Sequence, residues 1–172
     1  MAEAVLSSGN DVGARVSSPA PPPAPVPIDI SILIVTWNSE RWIERCLRSL
    51  PAACGDLRYE VIVHDNASSD QTLSRMPDQE TRVLRSETNA GFAAGTNRAF
   101  RESRGRYVFL LNPDCDLEPG ALSTLCAFVD EHPHAAGAAS ARPRPRLATA
   151  CGRNRHLAVV RPRAPGGVDD DA

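Results

Sequence analysis

Short apolar runs alternate with segments of helical periodicity between residues 29 and 140. The runs predict four β-strands, at 30–36, 59–64, 81–85 and 107–111. Strands that alternate with helices in this way are typical of repeated βαβ units, in which the strands lie parallel. We therefore predict an α/β domain over residues 29–140, with a mainly parallel sheet flanked by helices.

Helical spacing and end signals predict the segments between these strands. Apolar positions after the first strand predict a helix that begins near Trp42 and is stopped by Pro51. Ser68 and Gln71 match a capping box, which predicts a helix start after the second strand. A further helix is predicted over 91–103. The last one has Pro119 in its first turn, ends at 132–133 and has a core face of four residues: Leu122, Leu125, Cys126 and Val129.

The two ends of the chain differ from this middle region in composition. Residues 1–28 are rich in Ala, Ser and Pro, and they predict a disordered leader because they cannot bury enough apolar area to offset the entropy of ordering. Residues 141–172 carry seven arginines among Pro, Ala and Gly, and they predict a disordered tail. An out-of-frame reading of a GC-rich gene would produce such a tail. The alternative is a genuine basic tail that binds a phosphate-rich partner.

Composition narrows the class of protein and its compartment. A formal net charge of −2 gives no sign of nucleic-acid binding, and neither a transmembrane segment nor a secretory signal is recognisable. These observations predict a cytoplasmic protein. The five cysteines form no Cys-x-x-Cys pair and fall mostly in apolar periodic segments, so we expect reduced core thiols. His64 lies inside a strand run and is expected to be a packed residue.

Polar side chains follow the predicted strands. In parallel sheets the carboxyl ends of the strands meet at one edge, where ligands bind in open α/β folds. The run at 107–111 is apolar enough to predict an inner strand, and the carboxylates after it, Asp114 and Asp116, suit a divalent cation held against a diphosphate. An acidic turn is the alternative. A helix-loop-helix calcium loop fits poorly, because Pro119 and Leu125 stand where Gly and Glu are required.

The glycine-bearing segment 89–98 is the remaining motif of this edge. Gly91 and Gly95 suit a tight turn and the close packing of a helix. A P-loop is excluded because the chain contains no lysine, and a dinucleotide fold is disfavoured because no Gly-x-Gly-x-x-Gly follows the first strand. Four polar strand ends in succession instead favour one ligand that spans the crevice.

Four motifs at these strand ends resemble the donor-binding half of family 2 glycosyltransferases, which have a GT-A fold. They are the segments 35–38 (VTWN), 63–70 (VHDNASSD), 89–97 (NAGFAAGTN) and 111–116 (LNPDCD). The last two look most like the rhamnosyltransferase-type branch, whose members often use dTDP- or UDP-sugars to build bacterial polysaccharides. The resemblance covers about residues 29–140.

The resemblance implies how a nucleotide sugar would be bound. Thr36 and Asn38 would border the nucleotide, and Asp65, followed by Asn66, would accept hydrogen bonds from the base or the ribose. Three residues of the glycine-bearing segment would line the ribose and the diphosphate: Asn89, Gly91 and Asn97.

The resemblance also implies a metal site and the place of the catalytic base. Asp114, and less strictly Asp116, would bind Mn²⁺ or Mg²⁺, which neutralises charge on the leaving nucleoside diphosphate. Arg98 would add charge near the phosphates, or it is an ordinary exposed helix arginine. Inverting enzymes of this family carry the general base in a second half that shapes the acceptor site. After Glu131 this chain has acids only at 169–171, so we expect a truncated transferase with impaired activity.

Two functions stay open from the sequence. The first is transfer of a sugar from a nucleotide-diphosphate sugar to a saccharide or lipid-linked acceptor, with peripheral association at the inner face of the membrane as one arrangement. The second is a non-catalytic nucleotide-sugar-binding module whose basic tail recruits a partner.

Overall fold

The computed structural model describes residues 27–77, 81–132, 134 and 138. Its elements follow in the order β1 (Ile30–Thr36), α1 (Ile43–Cys54), β2 (Tyr59–Asp65), β3 (Thr81–Arg85), α2 (Phe92–Arg101), β4 (Tyr107–Leu111) and α3 (Ala121–Glu131). The four predicted strands and the helices predicted after residue 91 and after Pro119 are confirmed. The tail predicted at 141–172, and the leader predicted at 1–28 except for its last two residues, lie outside the described residues.

The four strands form one sheet in the order β3-β2-β1-β4, and each neighbouring pair is parallel. Thr36 lies opposite Asp65, and Asp65 lies opposite Arg85, so β1, β2 and β3 end at the same edge. Ile34 lies opposite Leu111, which brings the end of β4 to that edge as well. The predicted parallel sheet and the common edge of its strand ends are therefore confirmed.

The position of β4 differs from the prediction. Its apolar sequence predicted an inner strand, but within the described residues β4 pairs with β1 and forms an edge of the sheet. Phe109 packs into the core on one face of the sheet, and Val108 packs into the core on the other. An apolar run of this kind reports that both faces of a strand are covered, and it does not report how many strands flank it.

The two faces of the sheet are covered by different helices. On one face α1 and α3 pack against each other and against the odd-numbered residues of β4 and the even-numbered residues of β1. On the other face α2 lies across β1 and β2. A Cβ atom at Gly95 of α2 would lie 2.6 Å from Cδ2 of His64 and 2.9 Å from Cγ1 of Val35, so only glycine allows α2 to sit this close to the sheet. The predicted close packing at Gly95 is confirmed.

Helix α1 continues past the point at which Pro51 was predicted to stop it. Pro51 lies inside the helix, which ends at Cys54, so that prediction is wrong. Proline cannot donate a backbone hydrogen bond to the preceding turn, and this disfavours a helix interior. Burial of Ala53 and Cys54 in the core holds the last turn in place, and Gly55 donates its N–H to the carbonyl of Pro51 at 3.1 Å. Tertiary packing thus outweighs the local signal.

The predicted capping box after β2 is also wrong. The described residues between β2 and β3 contain a turn at 72–75 and no helix. Ser68 Oγ accepts a hydrogen bond from the N–H of Asn38 at 2.9 Å, and Gln71 donates its N–H to Oε2 of Glu40 at 2.9 Å. These groups form hydrogen bonds with the loop after β1 and do not cap a helix in their own segment. The match of Ser68 and Gln71 to a capping box therefore reflects contacts with residues about thirty positions earlier in the chain.

The cysteines behave as the sequence predicted. Four of them are buried free thiols: Cys46, Cys54, Cys115 and Cys126. Burial, together with the nearby carboxylates of Asp116 and Asp114, raises the pKa of Cys46 to about 12, so its thiol stays protonated at neutral pH. Cys151 lies outside the described residues. Among the described residues, no helix is both long enough and apolar enough to span a membrane.

Candidate functional site

Two buried polar side chains lie side by side where β1 and β2 end. Thr36 and Asp65 are opposite each other in the sheet, and the two residues are 1% and 2% exposed. Oδ2 of Asp65 accepts a hydrogen bond from the N–H of Ser68 at 3.2 Å. Within the described residues, Oδ1 of Asp65 and Oγ1 of Thr36 have no hydrogen-bond partner. A buried polar atom without a partner costs about 1–3 kcal/mol, so such atoms are expected where a ligand completes the bonding.

Asn38 joins the loop after β1 to the loop after β2. Its backbone adopts a positive φ of 49°, and its N–H donates to Oγ of Ser68 at 2.9 Å. Its side-chain Oδ1 accepts the N–H of Ser69 at 2.9 Å. The side-chain oxygen of Asn38 is therefore used to fix the two loops against each other. The predicted contact of Asn38 with a nucleotide stays a prediction.

Three further hydrogen bonds extend this junction, which we call the polar clamp (residues 38–40 with 68–72). The N–H of Glu40 donates to Oδ2 of Asp70 at 3.1 Å, and Glu40 accepts from the N–H of Gln71 in return. The N–H of Ser39 donates to Oγ1 of the fully buried Thr72 at 2.7 Å. The polar clamp holds the ends of β1 and β2 in a fixed relation, and sequence reasoning missed it because its partners are about thirty residues apart in the chain.

The glycine-bearing segment is tied to the end of β2 through Asn66. Gly91 has a φ of 87°, as a tight turn requires, and its N–H donates to Oδ1 of Asn89 at 2.9 Å. The carbonyl of Gly91 accepts from the N–H of Gly95 at 3.2 Å and from Nδ2 of Asn66 at 3.3 Å. The structure thus brings Asn66, Asn89 and Gly91 together. Asn97 is exposed six residues further along, about 9 Å down the axis of α2.

His64 lies beneath this junction and is 2% exposed. Its Nε2 is 3.2 Å from Oδ1 of Asn66 and 3.2 Å from Oγ of Ser86. Burial lowers the pKa of His64, and Arg98 contributes in the same direction, so the ring is neutral at pH 7. Arg98 itself is exposed, and its Nη1 donates to Ser86 at 3.4 Å. His64 is packed as predicted, but no signal in the sequence indicated its bond to Asn66.

Two carboxylates follow β4. Asp116 is exposed and forms an ion pair with Arg45 of α1, with 2.6 Å between Oδ2 and Nε. Asp114 is partly buried, and its Oδ1 is 3.5 Å from the Sγ of Cys115. Within the described residues, no group of three or more His, Cys, Asp or Glu side chains is arranged to hold a metal ion. Hard cations such as Mg²⁺ can be held by one or two carboxylates together with substrate phosphates, and the assignment of a cation to Asp114 and Asp116 stays a prediction.

The chain matches the family model described as glycosyl transferase family 2 over residues 31–157. It is 32% identical over 107 residues to the poly(ribitol-phosphate) β-N-acetylglucosaminyltransferase TarS of Staphylococcus aureus strain Mu50, a match that covers 59% of this chain and 19% of TarS. It is 28% identical over 101 residues to the succinoglycan biosynthesis protein ExoO of Rhizobium meliloti, covering 57% of this chain and 29% of ExoO.

The fold matches a solved structure of the same relative. The crystal structure of S. aureus TarS 1–349 in complex with UDP-GlcNAc superposes with a TM-score of 0.55 and 29% identity, and the match covers 69% of this chain and 37% of that one. The chain therefore spans well under half the length of the relatives that it matches. The fold and the family-model match agree, and the chain belongs to glycosyl transferase family 2.

Proposed function

We propose that this chain supplies the donor-binding part of a glycosyltransferase that takes a sugar from a nucleotide-diphosphate sugar. The observation that carries the proposal is a pair of buried side-chain oxygens, on Thr36 and Asp65, that have no hydrogen-bond partner among the described residues. They lie at the common edge of the strand ends in a family 2 chain. Oxygens of this kind are suited to the hydroxyl groups of a ribose and to the N–H groups of a base.

The donor proposed here is a UDP-sugar. TarS of S. aureus, whose structures in complex with UDP and with UDP-GlcNAc match 69% of this chain at 29% identity, supports this choice. The motif resemblance to the rhamnosyltransferase-type branch keeps dTDP-sugars as the second candidate. For the acceptor we propose a saccharide or lipid-linked saccharide in polysaccharide assembly, which is supported by the similarity to ExoO. An inverting outcome and a cytoplasmic location stay predictions.

Each residue at the edge has a proposed part in holding the donor. Asp65 accepts hydrogen bonds from the base or ribose, Thr36 borders the nucleotide, and Asn66 with Gly91 shapes the side facing the ribose and diphosphate. Asp114 is the chief protein ligand of a divalent cation, Mn²⁺ or Mg²⁺. When bound, that cation supplies positive charge that stabilises the leaving nucleoside diphosphate.

The general base and the acceptor site are not assigned to any described residue. Because the chain covers 37% of TarS 1–349, we propose sugar transfer for the whole protein and not for the described domain by itself. Donor binding is the part of the function that the described residues can carry alone, and it is therefore the part to test first.

A thermal-unfolding panel tests the proposal. UDP, dTDP and GDP are each added with Mn²⁺ or with EDTA to the wild-type chain, to Asp114→Asn and to the matched variant Asp116→Asn. A ligand at about 100 times its Kd stabilises the folded state by about 2.7 kcal/mol. We expect UDP to raise the Tm more than GDP does, and we expect Asp114→Asn to lose the Mn²⁺-dependent part while Asp116→Asn keeps most of it.

Two results would contradict the proposal. If no nucleotide raises the Tm of the wild-type chain, the donor-binding assignment is wrong. If the stabilisation is the same in EDTA, or the two variants lose it equally, Asp114 is not the chief metal ligand.

A further inference from the structure

We propose that His64 is a positioning residue for donor binding, which acts through Asn66 to hold Gly91 and the start of α2 in place. This inference rests on the proposed function, because the group it positions is the part of the site assigned to the ribose and diphosphate. His64 itself lies beneath that part of the site and is not among the residues proposed to contact the donor.

The chain of hydrogen bonds has a defined direction. The carbonyl of Gly91 can only accept, so the group of Asn66 that faces it at 3.3 Å is the Nδ2 donor. The amide oxygen of Asn66 must then face His64, at 3.2 Å from Nε2. An oxygen requires a donor, so Nε2 carries the ring proton and Nδ1 does not.

Burial favours the same protonation state. Nδ1 of His64 is buried and has no hydrogen-bond partner within the described residues. A neutral ring with its proton on Nε2 leaves only a lone pair without a partner at that position, whereas a doubly protonated ring would leave a buried charged donor there. Burying an unpaired charged donor costs much more than burying an unpaired acceptor. His64 is therefore a fixed donor to Asn66.

Packing fixes the position of the His64 ring. Gly95 leaves no room for a side chain, because a Cβ atom there would lie 2.6 Å from Cδ2 of His64. The same Gly95 donates its N–H to the carbonyl of Gly91 at 3.2 Å. One carbonyl thus accepts from the first turn of α2 and from Asn66, and His64 orients the second of these donors. A displaced Asn66 would release the segment that contains Asn89 and Gly91.

A purely structural role for His64 makes different predictions, and three variants separate the two. His64→Leu removes the donor and keeps an apolar side chain in the space. His64→Gln keeps an N–H donor at about the place of Nε2. Ser86→Ala is the matched control, because Ser86 Oγ lies at the same 3.2 Å from Nε2 but has no bond to Gly91.

The experiment measures UDP affinity with Mn²⁺ by calorimetry, and backbone hydrogen exchange at residues 89–92, on the full chain. For His64→Leu we expect affinity to fall about five- to tenfold, the value of one hydrogen bond, and exchange at 89–92 to accelerate. His64→Gln should bind within about twofold of wild type, and Ser86→Ala should match wild type in both measurements. Asn66→Ala should reproduce the faster exchange with His64 intact, which covers the case in which His64→Leu does not fold.

The outcomes keep this inference separate from the proposed function. If wild type does not bind UDP, the proposed function fails, and the exchange rates still decide whether His64 holds the segment. If wild type binds UDP but His64→Leu is unchanged in affinity and exchange, the inference is wrong. It is also wrong if His64→Gln or Ser86→Ala loses as much as His64→Leu, because the effect would then not follow from the hydrogen bond between His64 and Asn66.

Discussion

Within the described part of the chain, eighteen buried residues form the core on the side of the sheet covered by α1 and α3, whereas four form the core under α2. Along the body of the first face the buried side chains are apolar. At the strand ends this face also buries Thr36 and Asp65, whereas the α2 face buries Ser31 near the start of β1 and His64 near the end of β2. Its helix is seated by the absence of a side chain at Gly95.

The two faces of the sheet therefore have different roles. The α1–α3 face buries most of the apolar area and so provides most of the stability. The α2 face buries little area, but its hydrogen bonds tie the end of β2 to the glycine-bearing segment. Hydrogen bonds contribute modestly to net stability and strongly to unique geometry. The comparison implies that mutations on the α1–α3 face will mainly lower stability, whereas mutations on the α2 face will mainly disturb the geometry of the site.

Neighbouring residues of β4 give the most direct test, since they point to opposite faces. Phe109→Ala removes a ring that is 2% exposed in the larger core and should cost about 3–5 kcal/mol in the free energy of unfolding. Leu110 is half-buried on the α2 side, and Leu110→Ala should cost about 1 kcal/mol from its smaller buried area. Urea unfolding of both variants measures this. Equal costs would show that the two faces contribute alike.

Gly95→Ala tests how closely α2 is seated. The new methyl would meet His64 and Val35, and overpacking of this kind costs about 1–3 kcal/mol, while the higher helix propensity of Ala returns up to about 1. We expect a net loss in thermal unfolding. Ala94→Gly, at an exposed position of the same helix, measures the propensity contribution alone. A stabilised Gly95→Ala variant would mean that α2 is not held against His64.

The smallest expected effect is at the other end of the α2 face. Glu60 accepts from Oγ of Ser31 at 2.6 Å and pairs with Arg104 at 3.1 Å. Burial raises the pKa of Glu60, but these hydrogen bonds outweigh it and hold the pKa below its ordinary value of 4.5.

A carboxyl whose pKa is lower in the folded state stabilises the fold above its ordinary pKa, and this contribution is lost as the pH falls below about 4.5. Glu60→Gln should therefore lower the free energy of unfolding by about 1 kcal/mol at pH 7 and by less at pH 3. The cost at pH 7 is small because Arg104 is largely exposed, so that water screens its ion pair with Glu60. Unfolding free energies across this range test the claim. A pH-independent cost would show that Glu60 acts through shape and not through charge.

The sequence predicted what depends on local pattern. The β1 and β4 runs are apolar over their whole length, and both strands have the predicted bounds. That polar groups gather at one edge follows from parallel strands, which the βαβ alternation indicated. Thr36 and Asp65 were therefore identifiable as neighbours from the sequence, but their lack of hydrogen-bond partners among the described residues was not.

What the sequence did not predict depends on contacts between distant residues. Pro51 was assigned as a helix end by a local rule, and burial of Cys54 overrode it. Ser68 was assigned as a cap for its own helix, and its partner is Asn38, thirty residues earlier. His64 and Asn66 are only two residues apart in the sequence. The role of their hydrogen bond, however, depends on Gly91, which only the fold brings close to Asn66.

The open side of β4 has a practical consequence. Within the described part of the chain this strand is sheltered above and below yet pairs along one side only, and its sequence YVFLL contains no charge, glycine or proline. Uncharged apolar strands with a free edge are templates onto which a strand of another molecule can add. For the described part of the chain we therefore expect self-association through β4 that increases with protein concentration and that a short edge-pairing peptide suppresses.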